Sequence, residues 1–162
     1  MNNNRQSIRL KNYDYSKSGY YYITMCTENR TCIFGNIFNG KMVLNDVGKI
    51  VNDVLLTIPK RFDNVGLDEF VIMPNHIHGI VIIVGAGVSR PILGQIIGHF
   101  KYQSTKHINN LSGSENPTPT IEIKKIFQRN YYEHIIRNEI ELNKIREYIK
   151  NNPLFWNQDI NY

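Results

Sequence analysis

Met73-Pro74-Asn75-His76-Ile77-His78-Gly79-Ile80-Val81-Ile82-Ile83 is the stretch on which the fold turns. From His76 onward it is dense in β-branched residues, and successive side chains of a strand face opposite ways. His76, His78, Ile80 and Ile82 therefore share one face, and Ile77, Gly79, Val81 and Ile83 share the other. Alternate side chains leave a strand about 7 Å apart, so two imidazoles at that spacing can converge on one divalent ion. A bare His-x-His is more often a polar strand end with two hydrogen-bonded histidines, and the pair gains meaning only with a third partner.

Working outward, Leu67–Met73 is expected to be a strand that Pro74-Asn75 turns directly into the histidine strand, giving an antiparallel pair. Before it, Val47, Ile50, Val51, Val54, Leu55 and Ile58 recur at helical spacing, with Asn45 or Asp46 to cap the start and Pro59 to end it. Earlier still, Gly19 to Thr27 is dense in β-formers, Glu28-Asn29-Arg30-Thr31 turns it, and a small hairpin follows: a strand around Cys32–Phe38, the turn Asn39-Gly40, and a return at Met42–Leu44. Residues 1–18 form a basic arm, with Arg5, Arg9, Lys11 and Lys17 against Asp14. It suits equally a solvated terminus and, with Tyr13 and Tyr15 interleaved, a contact to phosphates and stacked bases.

On the other side, Gly85-Ala86-Gly87-Val88-Ser89-Arg90-Pro91 superficially resembles a nucleotide-binding glycine loop. Arg90 stands where its third glycine would be and no parallel βαβ unit surrounds it, so a strand-to-helix loop with Pro91 opening the helix is the better account. Leu93, Ile96, Ile97 and Phe100 are the buried stripe of that helix, while His99 and His107 read as rim residues. Residues 109–120 are a loop by composition. Phe127–Ile136 is the last strand, after which Asn138, with Glu141 three places on, caps a helix running to Pro153.

The order strand, helix, strand, strand, helix, strand, helix defines an α+β class: a ferredoxin-like or RRM-like antiparallel sheet of about four strands, two helices on one face, and an added C-terminal helix. With 162 residues and 41% apolar content, a single domain spanning 1–162 is expected. A formal charge of +5 suits a polyanion partner without demanding one. No membrane span or secretory leader is visible, which implies a cytoplasmic protein. Cys26 and Cys32 are too few for a disulfide scaffold and are expected to be free thiols without assigned function.

On the last helix Leu142, Ile145 and Ile149 form the apolar stripe, and Tyr148 lies four residues before Asn152, on a shared face. If that face covers the histidine strand, the Asn152 carboxamide could complete a two-nitrogen, one-oxygen metal site beside the Tyr148 hydroxyl. On spacing alone Tyr148 is one of ten tyrosines and more often merely edges a core, with Tyr131 and Tyr132 as rivals.

Met73–Ile80, together with Gln128-Arg129-Asn130-Tyr131-Tyr132-Glu133-His134-Ile135-Ile136-Arg137-Asn138-Glu139 and Arg146-Glu147-Tyr148-Ile149-Lys150-Asn151-Asn152-Pro153, resembles the REP-associated tyrosine transposases. These are relatives of the single-strand insertion-sequence transposases within the HUH nucleases. Asn12-Tyr13-Asp14-Tyr15 and Cys32-Ile33-Phe34-Gly35 also resemble the family's opening, so the likeness covers nearly the whole chain. It implies that His76 and His78 bind a divalent metal, that Tyr148 is the nucleophile, and that Asn152 is the third ligand. It implies a metal-dependent single-strand endonuclease and strand transferase acting on hairpin-forming repetitive palindromes through a 5′-phosphotyrosine link. Mg²⁺ or Mn²⁺ is the implied cofactor, since imidazole and oxygen ligands suit Mn²⁺, and Mg²⁺ if waters fill the remaining positions. Arg5, Arg9, Lys11, Lys101, Lys106, Lys124, Lys125 and Arg129 are candidate contacts to the DNA backbone. Relatives differ in whether the tyrosine helix serves its own subunit or is exchanged in a homodimer. Two other readings compete: a catalytically inactive nucleic-acid-binding module on an RRM-like sheet, and a zinc hydrolase using the histidine pair with a carboxylate such as Glu69.

Overall fold

The structure is a computed structural model and describes residues 17–85, 92–111 and 125–158. Among the described residues, six strands and three α-helices follow one another: β1 (Gly19–Cys26), β2 (Gly35–Phe38), β3 (Lys41–Leu44), α1 (Asp46–Arg61), β4 (Val65–Ile72), β5 (His76–Ile83), α2 (Leu93–Leu111), β6 (Tyr132–Ile136) and α3 (Glu139–Asn151), with a 3₁₀ segment over Asn152–Gln158. Four strands form one antiparallel sheet in the order β4-β5-β1-β6, and β2 and β3 pair separately. Setting aside the small hairpin, this is the split βαβ arrangement of a ferredoxin-like sheet, in which β5 returns antiparallel between the strands that α1 connects.

The alternation along β1 and β5 decides what each face of the sheet carries. Tyr21, Ile23 and Met25 of β1 and Ile77, Val81 and Ile83 of β5 join the main core with Val51, Val54, Leu55 and Ile58 of α1 and Leu93, Ile96, Ile97 and Phe100 of α2. The opposite face carries Ile80 and Ile136, which pack on Leu142 and Ile149 of α3. The sheet is therefore covered on both sides, by two helices and by one, and the histidine end of β5 emerges beside α3.

Several boundaries differ from expectation for identifiable reasons. Asn45 caps α1 by accepting from the Gly48 N–H at 2.9 Å, but Pro59 does not end the helix. It falls in the last turn, where its missing N–H breaks a single link, and α1 closes when the Phe62 N–H reaches the Ile58 carbonyl at 3.1 Å. Asn39 and Gly40 take positive φ angles of 49° and 71°, the pairing a two-residue hairpin turn needs. β6 begins at Tyr132, later than the expected Phe127, because the Gln128 and Asn130 carbonyls turn to the Lys101 ammonium. Phe127 itself makes an isolated bridge to Thr27. The loop expected over 109–120 starts too early, since α2 continues to Leu111. The remainder of that loop, residues 1–16 of the basic arm and residues 86–91 lie outside the described residues.

α3 is held by its own ends. The Asn138 side chain accepts from the Glu141 N–H at 2.9 Å, while the Glu141 carboxylate accepts from the Arg137 N–H and meets His134 Nε2 at 2.6 Å. The reciprocal bond of a capping box is thus displaced by one residue and shared with β6. Near the other end, Arg146 clasps Asp68 of β4 with Nε to Oδ1 at 2.9 Å and a second nitrogen to Oδ2. An irregularity in β4 between Leu67 and Phe70 lets Asp68 face this helix.

Candidate active site

The two histidines sit where β5 leaves its turn. The Met73 N–H reaches the His76 carbonyl at 2.8 Å, and the buried turn residue Asn75 is anchored through its carbonyl to Thr27 at 2.9 Å. The imidazoles point the same way, as strand alternation requires, with His76 Nε2 3.1 Å from His78 Nε2. They are 0% and 1% exposed.

Each ring is held from behind through Nδ1. Asn75 Oδ1 lies 2.7 Å from His76 Nδ1, and the Asn75 amide nitrogen donates to the Arg30 carbonyl, which fixes which end of the carboxamide faces the ring. His78 Nδ1 lies 2.8 Å from both Thr24 Oγ1 and the Tyr22 hydroxyl. The register explains these partners: Thr24 stands directly opposite His78 across the β1–β5 ladder, and Tyr22 stands on the same face two residues away. The Tyr22 ring also stacks on His78, centroids 5.7 Å apart and planes 25° from parallel.

α3 and the segment after it close the site from above. The Tyr148 hydroxyl is 3.5 Å from His78 Nε2, and the Tyr148 ring lies edge-on to His78 at 5.3 Å. Trp156 stacks on His76 at 6.0 Å. Asn152, four residues beyond Tyr148, is buried at 4% exposure, and its Oδ1 has no hydrogen-bond partner among the described residues. A carboxamide oxygen held out of water without a donor is costly unless another positive group meets it. The two imidazole nitrogens facing each other are donors that fit a divalent cation, and an unsatisfied carboxamide oxygen is chemically the kind of donor that Mn²⁺ or Mg²⁺ takes, with waters filling further positions. Tyr148 itself is 46% exposed, open to a substrate while its hydroxyl faces the imidazoles.

The rival tyrosines are placed otherwise. Tyr131 packs against the main core and under the Lys101 ammonium at 5.5 Å. Tyr132 is on the histidine face but meets Tyr22, centroids 6.1 Å apart, one ring removed from His78. Glu69 pairs with Lys150 at 3.3 Å, and no group of three His, Cys, Asp or Glu suited to a metal occurs among the described residues, which leaves the zinc-hydrolase reading without its carboxylate.

Of the basic residues, Lys101 is not available to a phosphate backbone. Its ammonium donates to the Gln128 and Asn130 carbonyls at 2.8 and 3.1 Å, and burial draws its pKa down to about 8. Lys125 pairs with Glu28 at 3.0 Å, whereas Lys106 and Arg129 are exposed. Arg5, Arg9, Lys11 and Lys124 lie outside the described residues. Tyr22, Thr24, Asn75 and Trp156 are site residues that the sequence reading missed. Same-face parity along β1 was the available signal for Tyr22 and Thr24, but it becomes useful only once the β1–β5 register is known.

The fold and the site together define a ferredoxin-like sheet that brings two strand-borne imidazoles under a helix-borne tyrosine. A family model described as "Transposase IS200 like" matches residues 15–152, and the chain belongs to that family. An uncharacterized protein of Haemophilus influenzae is 42% identical over 174 residues, covering 96% of this chain and 91% of the relative. Among solved structures, a REP-associated tyrosine transposase bound to a REP hairpin superposes with a TM-score of 0.65 at 17% identity, over 91% of this chain and 73% of that one. A candidate transposase from Deinococcus radiodurans R1 superposes with a TM-score of 0.52, also at 17% identity, over 88% of this chain and 95% of that one. These two structures share its fold. No described helix is long and apolar enough to cross a membrane.

Proposed function

We propose that this transposase-family chain, acting as one domain, nicks and rejoins single-stranded DNA with Tyr148 as nucleophile and His76, His78 and Asn152 as the ligands of a divalent cation. The observation that carries the reading is the meeting of the Tyr148 hydroxyl with His78 Nε2 at 3.5 Å; one helical turn beyond Tyr148, the buried Asn152 oxygen lacks a hydrogen-bond partner among the described residues. A binding module needs neither.

In the proposed reaction the Tyr148 oxygen attacks a phosphodiester phosphorus, the bond from phosphorus to the 3′-oxygen breaks, the phenol gives up its proton and the departing 3′-oxygen gains one. The product is a 5′-phosphotyrosine link and a free 3′-hydroxyl. One ester replaces another, so no ATP is needed and a 3′-hydroxyl can attack in reverse to rejoin the same or a different strand. Bound Mg²⁺ or Mn²⁺ would supply positive charge where the phosphate oxygens become more negative and help a phenol of pKa about 10 to ionise. The protein's own part is orientation: α3 sets the hydroxyl over the imidazole pair, and the Nδ1 partners keep both rings facing it.

A hairpin-forming substrate is favoured because the structural neighbour described above is bound to a REP hairpin. Lys106 and Arg129 are exposed candidates for its backbone, joined by Lys124, Lys125 and the arm residues Arg5, Arg9 and Lys11. The test is a labelled single-stranded hairpin incubated with protein and Mn²⁺. A covalent protein–DNA adduct is expected, and it should disappear in Tyr148→Phe. Cleavage without an adduct would refute the tyrosine mechanism, and tight binding with no cleavage under any metal would favour the inactive binding module.

A further inference from the structure

The two imidazoles of the pair have chemically different partners behind them. A carboxamide oxygen can only accept, so Asn75 Oδ1 at 2.7 Å requires a proton on His76 Nδ1. The neutral ring then has only a lone pair on Nε2. A hydroxyl can donate or accept, so Thr24 Oγ1 and the Tyr22 hydroxyl, both 2.8 Å from His78 Nδ1, accommodate either tautomer of His78. A third link makes the choice complete: Thr24 Oγ1 lies 3.3 Å from the Tyr22 oxygen, so the two hydroxyls can reorient together.

With the Nδ1 proton of His76 fixed, the 3.1 Å contact between the Nε2 atoms is a hydrogen bond only if His78 carries its proton on Nε2. Its Nδ1 then accepts from the hydroxyl pair. When both Nε2 atoms instead act as metal donors, His78 must carry the proton on Nδ1 and donate it to the hydroxyl pair.

We propose that Asn75 locks the tautomer of His76 while Tyr22 and Thr24 act as a reversible hydroxyl pair that lets His78 exchange tautomers on loading the metal site. The inference rests on the His76–His78 metal reading above and adds positioning residues to it. The step conserves protons: the His78 Nε2–H bond breaks, an Nδ1–H bond forms, the ring stays neutral and no proton leaves the site. Within the chain, Tyr22, Thr24 and Asn75 act through the imidazoles.

The tautomers are read directly by ¹⁵N spectra of histidine-labelled protein. Without metal, His76 is expected as Nδ1–H and His78 as Nε2–H, and at saturating Mg²⁺ His78 should become Nδ1–H while His76 is unchanged in tautomer. A His78 already Nδ1–H in the metal-free protein, or still Nε2–H with Mg²⁺ bound, would overturn the exchange. If Mg²⁺ perturbs neither ring, the metal reading itself fails as well. Mn²⁺ titration supplies the second measurement: Tyr22→Phe with Thr24→Val should bind about 10- to 100-fold more weakly, the scale on which second-sphere partners act. Restoring one hydroxyl, as Tyr22→Phe with Thr24→Ser, should recover much of it, and unchanged affinity in the Phe/Val variant would contradict the role.

Discussion

His78 and Lys101 show how differently two polar residues near one sheet can be employed. His78 is buried because its three neighbours, Thr24, Tyr22 and His76, satisfy both ring nitrogens. Lys101 is drawn in because carbonyls freed from the ladder before β6 collect around its ammonium. Its folded pKa of about 8 lies below the unfolded value of about 10.4. The folded chain therefore binds fewer protons between those values, and this contribution to stability grows as pH rises from 8 to 10. Chemical denaturation across that window should show wild type gaining on Lys101→Met as pH increases; a constant difference would mean that Lys101 does not titrate there. The histidine face was legible from alternation alone; the four-residue spacing put Tyr148 and Asn152 on one helix face but left Tyr131 and Tyr132 as rivals, and only the family resemblance singled Tyr148 out. The role of Lys101 was not, because a lysine on an amphipathic helix reads as solvated until the loop it grips has been placed.

α3 is the element on which the site depends, since it carries Tyr148 and its docking sets the distance to the imidazoles. Its apolar stripe, its cap and its register were readable from Asn138, Leu142, Ile145 and Ile149. Its anchor to β4 was not, because Asp68 faces α3 through a strand irregularity with no sequence signature. The Arg146 guanidinium holds the Asp68 carboxyl below the usual carboxylate range. A depressed folded pKa means this stabilisation is present above the unfolded value near 4 and is lost as pH falls through the folded one. Asp68→Asn should destabilise the chain by about 1.5–3 kcal/mol, the range for hydrogen bonds to charged groups, and should remove part of its acid sensitivity below pH 4. Hydrogen exchange ought to show the loss concentrated in α3. Uniform loss, or none, would mean that the clasp does not hold the helix.

At the scale of the whole molecule, the ferredoxin-like order places the mid-chain imidazoles and the late tyrosine on the same sheet face. The sequence pattern limited the sheet topology, because the strand–helix alternation leaves few arrangements for a chain of this length, but it did not fix where the last helix docks. It could not decide whether the tyrosine helix serves its own chain or a partner's. In the structure α3 packs on Ile80 and Ile136 of its own sheet, so the described residues assemble the site within one chain. The decisive measurement mixes two inactive proteins, Tyr148→Phe and the His76→Ala/His78→Ala double variant, with labelled hairpin and Mn²⁺, alongside wild type. Wild type should form an adduct that peptide mass spectrometry maps to Tyr148, while the mixture should form none. Adduct restored by mixing, or a wild-type adduct mapped to Tyr22, Tyr131 or Tyr132, would contradict a site built by Tyr148 and the imidazole pair of a single chain.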